Sequence, residues 1–252
     1  MYINRLYLEV LSEMTIKELK TRYKKAVFGF LWLFLNPLLQ MIIVGVVFSV
    51  FLKIENYFVF LFLGLLLWNF FYLSIMKATP SYIFESNLLK KAKFPKEMIP
   101  ISIIMANFVH LVLSLALVCL YLLFTSQTDI KYVFLLIPLL SWLLLLTIGL
   151  SLLFSSLQVR YRDVSFFAQT LLNLWFYATP VLYAYTSVPE KLSLLFHLNP
   201  LVTIFEIAHF ILHQETIISL SLVVSNLVIS TIICIVGIIV FIKERDYFID
   251  LI

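Results

Sequence analysis

Glu206, His209 and His213 stand at i, i+3 and i+7, along one face of a helix. Carboxylate and imidazole groups at that spacing can hold a metal ion, and His197 is the nearest candidate for a fourth ligand. No second helix supplies ligands of the same type, so a polar stripe on an otherwise apolar helix is the plainer account. Other recognisable chemistry is missing. None of the five glycines belongs to a Gly-x4-Gly-Lys-[Ser/Thr] loop, so the chain cannot cradle ATP by that motif. His-Glu-x-x-His, Cys-x-x-Cys and Gly-x-Ser-x-Gly are also absent. No catalytic residue, no bound metal and no cofactor is expected on this chain.

Two basic clusters and an excess of aromatic residues remain. Arg22, Tyr23, Lys24 and Lys25 form one cluster, and clustered cations suit phosphate. Ordinary charge anchoring at a membrane face accounts for them as well. The other cluster lies in Asn87-Leu-Leu-Lys-Lys-Ala-Lys-Phe-Pro-Lys-Glu-Met-Ile-Pro100, a basic, proline-bounded segment between two long apolar runs. It reads as an ordered cytoplasmic element that docks a soluble partner. Aromatics number 24 Phe, 13 Tyr and 4 Trp, grouped at Phe28 to Phe34, Trp68 to Tyr72, and Trp175 to Tyr177. Interfacial anchoring explains Phe28 and Phe30. It suits Trp175 and Tyr177 less, because they sit deep in an apolar run. Aromatic faces also stack on the C–H faces of sugar rings and let a repetitive polymer slide.

The elements that must position these residues are set by composition. Of 252 residues, 63% are hydrophobic and 13% charged, with a mean hydropathy of +1.05. A soluble domain is about half apolar and a quarter charged. Six apolar runs, at 26–52, 58–79, 99–124, 133–157, 165–185 and 217–242, each supply the ~20 residues that a bilayer core needs. The runs are continuous rather than alternating, so the fold class is all-α polytopic membrane protein with six transmembrane helices. Of the 18 lysines and arginines, all but Lys53, Lys131 and Lys191 fall on one side of that topology. Both termini are therefore placed in the cytoplasm. The net charge of +4 is topological and is no nucleic-acid footprint. Cys119 and Cys234 lie within spans, so no structural disulfide is expected, and no cleavable leader is visible. Within the spans only His110 and Lys77 are ionisable, which argues against ion-coupled transport. His110 alone reads as a hydrogen-bonded packing residue.

Residues 3–25 read as an amphipathic helix on the membrane surface, with Ile3, Tyr7, Val10, Leu11 and Met14 on one face. On another face Glu13 stands four before Lys17, the spacing of a helical ion pair. Run 26–52 would be about 40 Å long as a straight helix, and Pro37 should kink it. Pro180 should do the same near the outer end of the fifth run. Residues 186–215 are too long for a turn and too apolar for a solvated loop. Two short helices broken at Asn199-Pro200 fit best, re-entrant from the outer side. The chain is read as a single transmembrane domain over 1–252.

Several segments together resemble the permease subunit of ABC-type polysaccharide exporters, which move O-antigen, capsule or teichoic-acid chains on a lipid carrier. The matching pieces are Lys20 through Trp32 with Asn36-Pro37; Gly64 through Trp68-Asn-Phe-Phe71; Asn87 through Phe94-Pro95 and Pro100; Arg160-Tyr-Arg-Asp163; Tyr177-Ala-Thr-Pro-Val-Leu-Tyr183; and Asn199-Pro200. They recur in family order across nearly the whole chain. Family members often carry arginine near His209, and this chain departs from them there.

The resemblance implies a homodimer joined to two copies of a nucleotide-binding ATPase, with ATP and Mg on that partner. It implies a coupling helix near 81–93 and outer gate helices at 188–213. Coupling would involve Tyr82, Glu85, Asn87, Lys90, Lys91, Lys93, Arg160, Arg162 and Asp163. The path would be lined by Trp32, Phe34, Trp68, Phe71, Tyr72, Trp175, Phe176, Tyr177 and Tyr183. The gate would hold Asn199, Pro200, Glu206 and His209, and Arg22, Tyr23, Lys24 and Lys25 would meet the phosphates of the carrier. The expected function is ATP-driven export of a lipid-linked polysaccharide across a bacterial inner membrane. The alternatives are an ABC permease for a drug or lipid, and a membrane-embedded glycosyltransferase.

Overall fold

The computed structural model describes residues 2–24, 27–51, 56–91, 94–125, 128–212 and 219–248. No strand occurs among the described residues. The chain opens with α1, Tyr2–Tyr23, and reaches α2, Trp32–Ser49, through a tight turn at Gly29–Leu31. Helix α3 is Tyr57–Ala78, followed by short α4, Ser81–Phe84, and α5, Ser86–Lys91. Next come α6, Met98–Phe124; α7, Ile130–Val133; α8, Leu136–Arg160; and α9, Val164–Tyr177. Short α10, Ser193–His197, precedes α11, Pro200–Phe210, and α12, Leu220–Glu244, completes the helices.

Among the described residues four segments are long and apolar enough to cross a membrane: Tyr57–Ala78, Met98–Phe124, Ile130–Arg160 and Leu220–Tyr247. Their bounds agree closely with four of the six expected runs. The other two runs are shorter as helices. The expected helix over 165–185 ends at Tyr177, because Pro180 lacks an amide donor and biases Thr179 away from helix. Its 14 residues rise only about 21 Å, less than a ~30 Å hydrocarbon core. The expected helix over 26–52 starts only at Trp32, because Gly29 turns the chain at a φ of +45°. Pro37 then lies in the second turn of an 18-residue helix rather than at the middle of a long one. The expected single helix over 81–93 is two, with Glu85 at the junction, and residues 92 and 93 lie outside the described residues.

Helix α3 is the axis of the bundle. It packs against α2, α6, α8, α9 and α11, and Leu61, Leu67, Phe71 and Ile75 have no exposed surface. In its most apolar stretch 67% of residues are buried, against 17% for α12, so α12 is peripheral. A second, smaller core lies at the basic end of the bundle. There Tyr82, Leu89, Ile99, Val159, Phe241 and Phe248 pack together, with Met14 of α1 against them. A third gathers Phe196, Val202 and Leu222 at the opposite end.

Helices α8 and α12 approach so closely that side chains are excluded between them. A Cβ at Gly149 would lie 2.5 Å from the Cys234 Cα, and one at Gly237 would meet the Gly149 carbonyl. Small residues at such seams let helix backbones pack where lipid gives no hydrophobic drive. Polar side chains extend the seam: the Trp142 indole donates to Ser230 Oγ at 2.7 Å, and Asn226 Nδ2 donates to Thr203 Oγ1 of α11 at 2.8 Å. Gly237→Leu should therefore cost about 1–3 kcal/mol of stability, the usual range for overpacking. The check is the melting temperature in detergent, with the exposed neighbour change Ile235→Leu as control. A Gly237→Leu protein that melts like the control contradicts this account of the seam.

Candidate functional site

The residues singled out in the sequence fall into three places: the basic end, the seam between α3 and α9, and the α10–α11 end.

At the basic end, α4 and α5 form an exposed ledge. Asn87, Lys90 and Lys91 are exposed on α5, and Lys93 lies outside the described residues. Glu85 accepts from Lys17 Nζ at 2.9 Å, which ties the ledge to α1. Lys17 thus bonds across to Glu85, 68 residues away, where the helical spacing pointed to Glu13. Tyr82 points inward with no exposed surface and packs at a tilt of 44° against Phe248, ring centroids 4.5 Å apart. Burial, and then the nearby Glu97 carboxylate, push its phenol well above its ordinary pKa, so it stays neutral. Arg160 donates to Glu244 at 3.2 Å and joins α8 to the end of α12. Arg162 and Asp163 are exposed in the turn between α8 and α9. That turn is held by Gln158, whose Nε2 donates to the Arg162 carbonyl and whose Oε1 accepts from Ser165 N. Phe84, on the outer face of α4, is 77% exposed and was not apparent as a candidate from sequence. Its only signal there was an aromatic residue inside a polar, proline-bounded stretch.

The second place gathers aromatics. Trp68 lies 5.2 Å from Phe176, and Phe71 lies 5.7 Å from Trp175, edge to face. Such pairs add about 0.5–1.5 kcal/mol beyond area burial. Trp68 and Phe71 are buried in the main core, so in this conformation they join α3 to α9 and present no surface to a ligand. Trp175, Phe176, Tyr72, Phe34 and Tyr183 are half-buried, while Trp32 and Tyr177 are exposed. Helix α9 also turns polar side chains outward: Gln169, Thr170 and Asn173 are all exposed beside Phe166 and Tyr177. Hydropathy does not mark this stripe, because the three polar residues are diluted in an apolar run.

The third place is organised by Asn199. Its Oδ1 accepts from the Trp175 indole at 2.8 Å and from Leu201 N at 3.0 Å, capping α11. Its Nδ2 donates to the Ala178 carbonyl at 2.9 Å and to Thr179 Oγ1 at 3.0 Å. Pro200 follows at the first helical position, where its missing N–H costs nothing. One side chain thus clamps the end of α9 to the start of α11. Helix α11 is almost wholly buried against α3, α8 and α12. His209 stacks on Phe60 of α3 at 3.6 Å, and Gly64 leaves room for the Val181 carbonyl to lie against α3. Glu206 is buried too. His213 lies outside the described residues, and no metal-binding group of three occurs among those described. Leu194 and Leu195 on α10 are exposed at this end.

The inner cationic cluster is divided. Lys24 is exposed, whereas Arg22 is half-buried and donates to Asn107 Oδ1 at 2.7 Å. It also contacts His110 Nδ1 at 2.9 Å and Glu18 at 3.3 Å. The Tyr23 side chain and Lys25 lie outside the described residues.

Comparison with known proteins accords with this architecture. The ABC-2 type transporter family matches residues 9–213. The chain belongs to that family. It is 34% identical over 207 residues to an O-antigen export system permease protein RfbA of Klebsiella pneumoniae, covering 77% of this chain and 76% of that one. It is also 34% identical over 202 residues to the protein of that name from Myxococcus xanthus, covering 79% of this chain and 78% of the relative. As a member with several membrane-crossing helices, the chain is a multi-pass membrane protein.

The Asn199 clamp makes a testable demand. Asn199→Ala removes four hydrogen bonds, two of them buried, and leaves the buried Leu201 N–H without its cap, and a buried group left unpaired costs about 1–3 kcal/mol. Trp175→Phe keeps a six-membered aromatic ring on α9 and removes one hydrogen bond, for about 1 kcal/mol. The melting temperature should therefore fall far more for Asn199→Ala than for Trp175→Phe. Equal, small shifts would contradict the clamp.

Proposed function

We propose that the chain is the membrane-spanning permease subunit of an ATP-driven exporter of lipid-linked polysaccharide, working as a homodimer with two ATPase subunits. The observation that carries this reading is the match, across about three quarters of both chains, to permeases named for O-antigen export. ATP and Mg belong to the partner in this reading, and this chain contributes no catalysis. The basic end faces the cytoplasm of a bacterial inner membrane, which agrees with the lysine and arginine bias. Helices α2 and α9 supply two further crossings with their adjoining segments, giving six.

The exposed stripe on α9 supports a shared conduit. The exposed amides of Gln169 and Asn173 would find no partner in hydrocarbon, so they belong against water or a second copy, whereas Thr170 already donates to the Phe166 carbonyl. With Tyr177 and Trp32 they would form a wall of amides and aromatic faces suited to sugar hydroxyls and ring C–H faces. The buried Trp68 and Phe71 would hold that wall in place. Helix α10 would close the outer mouth, with Leu194 and Leu195 of the two copies meeting at the dimer axis. Movement there would reach α9 through the Asn199 clamp. An ABC permease for another amphiphile remains the rival, and the α9 amides favour a glycan.

Docking of the ATPase would use the α4–α5 ledge. Phe84 would be its apolar anchor, since exposed aromatics at interface centres often dominate binding. Lys90 and Lys91 would flank it, and Tyr82 would pass the push to α8 and α12 through Phe248 and Val159. Phe84→Ala, with Lys90 and Lys91 replaced by glutamate, should strip the ATPase from the purified complex by about tenfold or more. Normal co-purification would remove the ledge from the interface.

The conduit is tested separately. Gln169→Leu with Asn173→Leu should abolish surface polysaccharide while the complex with the ATPase still assembles. Undiminished polysaccharide at the cell surface would rule out α9 as a wall.

A further inference from the structure

We propose a second substrate-facing site on the flank of the bundle, between α1, α2, α3 and α6, that holds a phosphate-bearing lipid by its headgroup and its chain. Two adjoining cavities carry the proposal. The first, about 630 Å³, is lined by polar groups from all four helices: Arg22, Asn36, Gln40, Asn69, Lys77 and His110 among them. The second, about 380 Å³, is almost wholly apolar, with Phe34, Met41, Phe58, Phe62, Leu117 and Tyr121 in its wall. Both volumes lie within the usual range of ligand sites. Ser114 of α6 borders both.

Geometry joins them into one track. His110, Ser114, Leu117 and Tyr121 follow one another at helical spacing on α6. That face runs about 16 Å at 1.5 Å per residue. It passes from cations near the basic end to aromatic and aliphatic walls farther along the flank, where Leu117 and Tyr121 are exposed. A lipid phosphate with its chain has the same order of parts.

Charge selects an anion. Among the described residues, Arg22 and Lys77 are the two lysine or arginine cations of the polar chamber, and no carboxylate lines it. Glu18 sits behind Arg22 at 3.3 Å and offsets part of that one charge. Lys77 has no hydrogen bond or ion pair among the described residues. The Arg22 Nε is buried and without a hydrogen-bond partner among them as well. Two half-buried cations at the edge of hydrocarbon favour a counter-charge, and a phosphate supplies it with acceptors for the amide donors. Asn69 Nδ2 now donates to Gln40 Oε1 at 3.0 Å, so α3 and α2 present a paired amide ready to turn to a ligand. The phosphate contact expected from Arg22 thus moves away from the exposed Lys24 and into a chamber completed by Lys77.

The site rests on the export reading for the glycan its lipid would carry, but its test reads binding alone. The complex of permease and ATPase, in phosphatidylcholine nanodiscs, would be titrated with geranylgeranyl diphosphate. Inorganic diphosphate and geranylgeraniol are the single-part probes. Trp32, which lines the polar chamber, offers a fluorescence readout. Saturable binding is expected for geranylgeranyl diphosphate, at least tenfold tighter than for either part. Lys77→Gln should weaken it by about tenfold, and Lys77→Arg should restore it. Leu117→Trp, which fills the apolar track, should weaken the lipid without changing inorganic diphosphate. Unchanged affinity in both Lys77→Gln and Leu117→Trp overturns the site. So does equal binding of inorganic diphosphate, which would mark an anion pocket only, or of geranylgeraniol, which would mark an apolar groove only. Binding as expected in a complex that moves no polysaccharide in cells would instead overturn the export reading and leave the site standing.

Discussion

Hydrocarbon accepts and donates no hydrogen bonds, and most of this structure follows from that constraint. Backbone groups are satisfied by helices. Side chains that carry polar atoms into the bundle must find each other, and those encounters fix how the helices sit. Asn199 makes four hydrogen bonds and thereby decides the angle at which α11 leaves the end of α9. Asn107 bridges Ser74 of α3 and Arg22 of α1, which docks the first helix on the bundle. The Trp142–Ser230 and Asn226–Thr203 pairs do the same for α8, α12 and α11. Apolar packing fills the space between, but it is non-directional and would tolerate many arrangements.

The same constraint makes the exceptions informative. In the reading proposed here, amides and cations left open on the bundle surface mark places where lipid is not the neighbour. On α9 these are amides, which suit a hydrated path or a second subunit. On the flank of α2 and α3 they are amides joined by cations, which suit an anion. The two places differ in charge and lie on different helices, so in the reading proposed here recognition of the carrier and passage of the polymer are separate tasks on one small chain.

The basic end is built differently, as a packed soluble-like core. Tyr82, Val159 and the pair Phe241 and Phe248 come from three separate segments. Ion pairs at its rim, such as Lys17–Glu85 and Arg160–Glu244, are partly exposed and contribute about 0–1 kcal/mol each. Aromatic contacts lie beneath them, Phe248 packing on both Tyr82 and Phe241. In the reading proposed here, this packing would carry force applied at α4 on to α8 and α12.

Sequence alone determined the helical class, four of the membrane crossings, the break at Asn199-Pro200 and the family resemblance. These depend on local quantities: hydropathy over ~20 residues, the missing amide of proline, and the order of short motifs. It did not determine that the helix over 165–185 stops at Tyr177, since hydropathy continues past a proline that ends the backbone ladder. It also could not separate packing aromatics from open ones. Trp68 and Trp32 are the same residue type in similar apolar settings, yet one is buried between α3 and α9 and the other borders a cavity. Nor could it pair Lys17 with Glu85, join Arg22 to His110, or make Trp175 a ligand of Asn199, because those partners are distant in the chain. Period and composition report what one helix presents. Only the tertiary structure decides what another helix brings to meet it, because that depends on polar groups far apart in sequence satisfying one another where lipid cannot.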